Sequence, residues 1–81
     1  MKITSAINKL EKNGFTIKQE SQLFTATKAG LRYVVEFMKN GRSDETAFVG
    51  VRAINDRSDS QSDYCATIFC NSLKQAIELA H

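Results

Sequence analysis

The chain has 81 residues, of which 42% are hydrophobic and 25% are charged, and its formal net charge is +2. This hydrophobic content excludes an intrinsically disordered chain, and the short length excludes a multidomain enzyme with a deep active-site cleft. The net charge is far below that of a domain whose affinity comes mainly from neutralising phosphates. We therefore expect residues 1–81 to form one α+β domain with a small core.

The apolar runs and the cysteines of the chain predict its cellular location. The N-terminal residues are not followed by the apolar run of about seven or more residues that a secretory signal requires. The longest uncharged stretch, residues 64–73, is too short and too polar to span a bilayer. Cys65 and Cys70 would point to opposite faces of an extended segment, so a disulfide is not expected. These features predict a cytoplasmic protein with reduced thiols and no membrane contact.

Helical periodicity is found at both ends of the chain. A first helix is predicted by apolar residues at positions i, i+3, i+4 and i+7, namely Ile3, Ala6, Ile7 and Leu10. Thr4 or Ser5 is its expected cap, and Asn13-Gly14 supplies the left-handed residue that ends it. Ser72 and Gln75 have the spacing of a capping box. A second helix is predicted after this box by the stripe Leu73, Ala76, Ile77 and Ala80.

The middle of the chain favours strands. Residues 15–27 predict one bent strand or two short ones, and residues 31–39 predict the clearest strand. Its alternation places Leu31, Tyr33, Val35 and Phe37 on one face and Arg32, Val34, Glu36 and Met38 on the other. Asn40-Gly41 predicts a tight two-residue turn, so the next strand, between residues 45 and 54, is expected to pair antiparallel. Gly50 in that strand indicates a bulge or close packing.

The order of elements predicts a two-layer α+β fold. Residues 64–70 are predicted to be extended, although they lack clean alternation. The result is a three- to four-stranded antiparallel sheet with an N-terminal and a C-terminal helix on one face. Double-stranded-RNA-binding domains share this order, but topology does not assign function. Such domains hold phosphates at the start of the last helix, where Lys74 is the only basic residue here.

The residues exclude several kinds of chemistry, so no enzyme is predicted. Nucleophilic catalysis usually needs a histidine base, and the single histidine, His81, lies at the C-terminal end. Cys65, Cys70 and His81 supply three zinc ligands where a structural site takes four. The four glycines are isolated, so no phosphate-binding loop is present. We expect no catalytic residue, no cofactor and no metal.

Residues 55–63 are entirely polar and include three carboxylates, Asp56, Asp59 and Asp63. A calcium loop counted from Asp56 needs Gly at its sixth position and Glu at its twelfth, where this chain has Gln61 and Thr67. The stretch is therefore either a solvated connection or a binding surface. As a binding surface, its carboxylates would pair with Arg or Lys of a partner and Tyr64 would be the aromatic anchor.

Charge is distributed unevenly along the chain. Residues 1–42 carry a balance of +5, and residues 43–81 carry −3. This asymmetry supports either ordinary solubilising charge or a nucleic-acid-binding surface in the basic half. The candidate phosphate contacts are Lys9, Lys12 and Arg32. Phe15, Phe24 and Phe37 lie in strand patterns and are expected in the core, not as base-stacking platforms.

The last third of the chain combines Val51, Arg52, Asn55, Asp56, Asp59, Asp63 and Tyr64 with the predicted helix from Leu73. In this combination it resembles small proteins of prophages and plasmids and domains associated with the large polyvalent proteins of mobile elements. The resemblance implies a bacterial cytosolic setting and an accessory role. The resemblance implies no particular reaction, cofactor or functional residue.

Two functional hypotheses follow from these observations. The leading one is a small non-enzymatic protein-binding or accessory module of phage or mobile-element origin, which covers a site on a host or phage protein through residues 56–64. The alternative is a nucleic-acid-binding domain that uses the basic half. A homodimer is compatible with either hypothesis, with Val34 and Met38 on the dimer surface.

Overall fold

A computed structural model describes residues 1–53 and 68–80 of the protein. These residues form α1 (Ile3–Lys12), β1 (Thr16–Glu20), β2 (Leu23–Thr27), β3 (Tyr33–Lys39), β4 (Thr46–Ala53), β5 (Ile68–Phe69) and α2 (Leu73–Ala80). The strands form one sheet in chain order, and each strand pairs antiparallel with its neighbour. The predicted α+β class is confirmed, and the sheet has five strands where the sequence predicted three or four.

Both helices pack on one face of the sheet, as predicted. Cross-strand neighbours Phe24, Phe37 and Val49 lie on this face. The rings of Phe24 and Phe37 stack with their centroids 5.1 Å apart. The helices contribute Ile3, Ala6, Leu10, Leu73, Ala76, Ile77 and Ala80 to the same core. The sequence prediction that Phe15, Phe24 and Phe37 are core residues is confirmed, since all three are buried.

Residues 15–27, for which the sequence predicts one bent strand or two short ones, form two strands. β1 and β2 pair as a hairpin whose closing pair is Glu20 and Leu23. The turn is therefore made by two residues, and the first of them, Ser21, has a φ of 56°. A left-handed residue at this position matches the turn to the twist of the flanking strands.

The predicted two-residue turn at Asn40-Gly41 is wrong. β3 ends at Lys39 and β4 begins at Thr46, so the connection is longer. Gly41 does have a positive φ of 61°, but the loop closes through the Asn40 N–H, which donates to the Glu45 carbonyl at 2.8 Å. The longer loop places residues 44 and 45 against the start of α1. The antiparallel pairing of the two strands is nevertheless as expected.

The bulge of β4 does not lie at Gly50, because the irregularity lies three residues away. Met38 pairs with Phe48 and Lys39 pairs with Thr46, which leaves Ala47 as the extra residue of β4. Gly50 instead pairs regularly with Glu36 on one side and with Phe69 on the other. Gly50 is buried, so close packing is the interpretation that the structure supports.

The N-terminus of α1 is not capped by Thr4 or Ser5. Lys2 occupies the cap position, and no side chain caps the helix. The Ile3 N–H donates to the carbonyl of Asp44 at 2.7 Å, and the Thr46 N–H donates to the Met1 carbonyl at 2.9 Å. The first N–H of the helix is therefore satisfied by a main-chain carbonyl of the β3–β4 loop, which local sequence cannot reveal.

The N-terminus of α2 has the predicted Ser72 cap. The Gln75 N–H donates to Ser72 Oγ at 3.2 Å, while Gln75 Oε1 accepts a hydrogen bond from the Asn71 N–H at 2.8 Å. In a standard capping box the second bond would go to the Ser72 N–H. The Gln75 side chain thus reaches one residue further back than predicted.

Replacing Ser72 by alanine is expected to lower the free energy of unfolding by about 1 kcal/mol, because it removes an acceptor for an otherwise unpaired helix N–H. Urea denaturation followed by circular dichroism measures this loss. Ser5→Ala is the matched control, since Ser5 lies exposed inside α1. An equal loss in both variants would contradict the capping role of Ser72.

Candidate functional site

The predicted protein-binding residues Asp56, Asp59, Asp63 and Tyr64 lie outside the described residues, as do Cys65 and His81. Their proposed role therefore stays a prediction. Of the segment predicted to be extended, Ile68 and Phe69 form β5. Cys70 is half-buried, as expected, and burial raises the pKa of its thiol. A thiol with a raised pKa is a poor nucleophile at neutral pH.

The sheet has a second face, opposite the helices. Strand alternation places on it Thr16, Lys18, Glu20, Leu23, Thr25, Thr27, Val34, Glu36, Met38, Phe48, Gly50, Arg52 and Phe69. We call this set the second face. It includes residues at every level of exposure, from Val34 at 4% to Phe69 at 69%. Val34 is buried within the single chain, so its side chain is not available to a partner, and the predicted homodimer stays a prediction.

An apolar strip crosses the second face. Leu23, Met38 and Phe48 are cross-strand neighbours in one row of the sheet, and all three are half-buried. The ring of Phe69 meets the ring of Phe48 edge to face, with centroids 5.3 Å apart. We call these four residues the apolar strip. Phe69 is its most exposed member, and its neighbour across the ladder, Gly50, has no side chain to cover it.

An ion pair lies beside the apolar strip. Arg52 Nε donates to Glu36 Oε2 at 2.9 Å. The Glu36 side chain is only 8% exposed, whereas that of Arg52 is 37% exposed. A buried carboxylate needs such compensation, because removing its charge from water is costly. Glu36 thus lies in a charge pair, and within residues 1–53 and 68–80 no three His, Cys, Asp or Glu side chains come together as a metal site.

A second cluster of candidate residues lies where α1 ends. Gly14 follows the helix with a φ of +88°, and a Cβ there would lie 3.3 Å from Lys28 Cε. The Lys28 ammonium lies 5.8 Å from the centroid of the Phe15 ring. These contacts hold the beginning of the β2–β3 turn against the end of α1.

The same end of the molecule carries further cations. Lys9 and Lys12 occupy the last turn of α1. The Leu31 N–H donates to the Lys28 carbonyl at 3.2 Å, and the exposed Arg32 follows this turn. We call Lys9, Lys12, Lys28 and Arg32 the basic end. The structure therefore brings the three predicted phosphate contacts to one end of the fold and adds Lys28.

Sequence reasoning missed Lys28, Phe48 and Phe69 as candidates. Phe48 precedes the core residue Val49, so alternation already indicates that it lies on the opposite face. Phe69 lies in a segment without clean alternation, and Lys28 joins the basic end only through its contact with Gly14. Of these three residues, only Phe48 had a usable signal in the sequence.

The helices were compared with the length and hydropathy of a membrane span, and the chain with known proteins. None of the helices found in the described residues has the length and hydropathy needed to cross a membrane. The chain matches no protein-family model, no curated protein and no solved structure.

Proposed function

We propose that this protein is a small non-enzymatic protein-binding module, and that the apolar strip is part of its contact surface. The observation that carries this proposal is the exposure of Phe69, which is 69% accessible while its ring rests on Phe48. Aromatic side chains, including phenylalanine, are enriched in protein interfaces relative to the rest of the protein surface. Fully burying one phenylalanine side chain contributes about 1.5–3 kcal/mol.

The charges near the apolar strip favour a protein over a nucleic acid. Among the described residues, Lys18 and Glu20 of β1 share the second face with the Glu36–Arg52 pair. Two cations are thus balanced by two carboxylates. Surfaces that stack nucleic-acid bases combine aromatic rings with an excess of positive charge. The second face has the aromatic rings without that excess.

The remaining parts of the proposal rest on sequence. The bacterial, mobile-element setting is supported by the resemblance of residues 51–80, and it makes a host or phage protein the proposed partner. The carboxylates Asp56, Asp59 and Asp63, with Tyr64, are proposed as a polar contact on the same partner. A partner that meets both surfaces would offer an apolar patch next to Arg or Lys side chains.

Phe69→Ser is expected to weaken partner capture at least about tenfold, because it removes the apolar area that the partner covers. The wild-type protein and the variant are immobilised, exposed to bacterial lysates prepared with and without prophage induction, and treated with nuclease before mass spectrometry. Leu79→Ser is the matched control, since Leu79 is 45% exposed on α2, away from the apolar strip.

The outcomes of this experiment separate the alternatives. A protein retained after nuclease, reduced by Phe69→Ser and unaffected by Leu79→Ser, would support the proposal. Equal capture by all three proteins, or an empty column from both lysates, would contradict it. Analytical ultracentrifugation of the wild-type protein tests the homodimer, and a dimer abolished by Phe69→Ser would make a second copy the occupant of the apolar strip.

A further inference from the structure

We propose that the basic end binds the phosphate backbone of a nucleic acid, independently of the apolar strip. Its four cations come from α1, from the β2–β3 turn and from the residue preceding β3. In the described residues, none of the four forms an ion pair with a carboxylate. Glu11 is the one carboxylate within the segments 9–14 and 28–32 that make up this end.

The helix dipole of α1 explains the positions of only two of the four cations in the basic end. The negative end of the helix dipole favours Lys9 and Lys12 in the last turn of α1. Lys28 and Arg32 do not belong to the helix. Lys28 is instead held over the ring of Phe15, with its side chain against Gly14, so its charge lies beside the residues that follow α1. Four like charges held at one end repel one another, and a polyanion would relieve that repulsion.

The opposite end of the fold shows that this arrangement is not general. There the N-terminal ammonium group lies 3.4 Å from Glu45 Oε1, and Thr4 Oγ1 donates to Asp44 Oδ2 at 3.2 Å. Arg42 belongs to the same loop as these two carboxylates. Among the described residues, the N-terminal ammonium group therefore forms an ion pair where α1 begins, whereas none of the four cations of the basic end does.

The geometry favours an extended backbone over a single phosphate. The cations are spread over three segments on the surface and do not converge on a buried polar cavity. Contacts of this kind position a nucleic acid without reading its sequence. Neutralising four phosphates predicts a plot of log affinity against log salt with a slope of about −3 to −4. Raising the salt from 50 to 200 mM would then weaken binding about a hundredfold.

The proposal is tested by fluorescence anisotropy with labelled 20-nucleotide single-stranded DNA, duplex DNA and single-stranded RNA over a range of salt concentrations. Lys12→Gln/Arg32→Gln is expected to weaken binding to the best of these probes at least about tenfold and to reduce the salt slope by about 1.5–2. The matched control is Lys2→Gln/Lys74→Gln, which changes the net charge equally at exposed positions away from the basic end. Lys28→Met keeps the contact with Phe15 while removing the charge, and it is expected to reduce the slope by about 1.

Each result decides the proposal. The proposal is supported if the basic-end variants bind more weakly while the control binds like the wild type. The three probes then show which nucleic acid is preferred. The proposal is overturned if the control loses as much affinity as the basic-end variants, if no probe binds at 20 mM salt, or if the affinity does not change with salt concentration. Phe69→Ser must leave this binding unchanged. If Phe69→Ser abolishes it while the basic-end variants bind normally, the nucleic acid lies on the second face and both proposals fail.

Discussion

Phe37→Ala is expected to lower the free energy of unfolding by about 3–5 kcal/mol, the largest effect of any single change considered for this protein. Phe37 lies in β3, the middle strand of the sheet, and is completely buried. Its ring stacks on that of Phe24 with an angle of 10° between the planes. Truncation removes both the buried apolar area and this ring contact, and it leaves a cavity between the sheet and the helices.

The loss of stability is measured by urea denaturation with fluorescence and circular dichroism as two probes. Small native domains are stable by only about 5–15 kcal/mol, so Phe37→Ala is expected to be near its unfolding midpoint in water. Phe37→Leu provides a milder variant that keeps the measurement possible. Phe69→Ala is the matched control because it removes the same side chain from an exposed position, where the loss is that of the contact with Phe48, about 0.5–1.5 kcal/mol. Similar losses at both positions would contradict the assignment of Phe37 to the core.

Arg52→Met is expected to lower the free energy of unfolding by about 1–3 kcal/mol. The change leaves the buried Glu36 carboxylate without the guanidinium that donates to it at 2.9 Å. The figure is smaller than for a fully buried pair, because Arg52 is partly exposed and solvent screens the interaction. Methionine keeps most of the apolar length of the side chain, so the measured loss reports mainly on the charge.

A double-mutant cycle with Glu36→Gln tests this prediction by urea denaturation. In the Arg52→Met background, neutralising Glu36 is expected to restore part of the lost stability, since an uncharged amide costs less to bury. Arg32→Met is the control, because Arg32 is exposed and has no ion pair with a described residue. Additive effects of the two substitutions would show that Glu36 and Arg52 do not stabilise each other.

The parts of the fold that local periodicity specifies were predicted from the sequence. The stripe of α1, the alternation of β3 and the buried positions of Phe24 and Phe37 all follow from spacing that a short window of sequence contains. The cap of α1 could not be predicted in this way. The acceptor for the first N–H of the helix is the carbonyl of Asp44, which lies more than thirty residues further along the chain. The length of the β3–β4 loop depends on the same tertiary contact.

The candidate site was predictable to a smaller extent. Lys9, Lys12 and Arg32 were named from charge alone, but their common location depends on how α1 packs against the β2–β3 turn. The burial of Val34 and Glu36 on the second face was not expected, because a half-polar strand face normally points to solvent. The apolar strip combines residues from four strands, so no short segment of sequence contains its pattern.

The order of the strands has a kinetic consequence. Every strand of the sheet pairs with the strand next to it along the chain. The first three pairings close short loops, which cost little conformational entropy, and sheets built in this way are reached by successive hairpin formation. The segment from Met1 to Ile3 is different, because its hydrogen bonds join it to residues 44–46. Opening this segment breaks two main-chain hydrogen bonds and exposes the buried Ile3, but it leaves every strand pairing intact, so the protein is expected to unfold partially from its N-terminal edge before the hairpins separate.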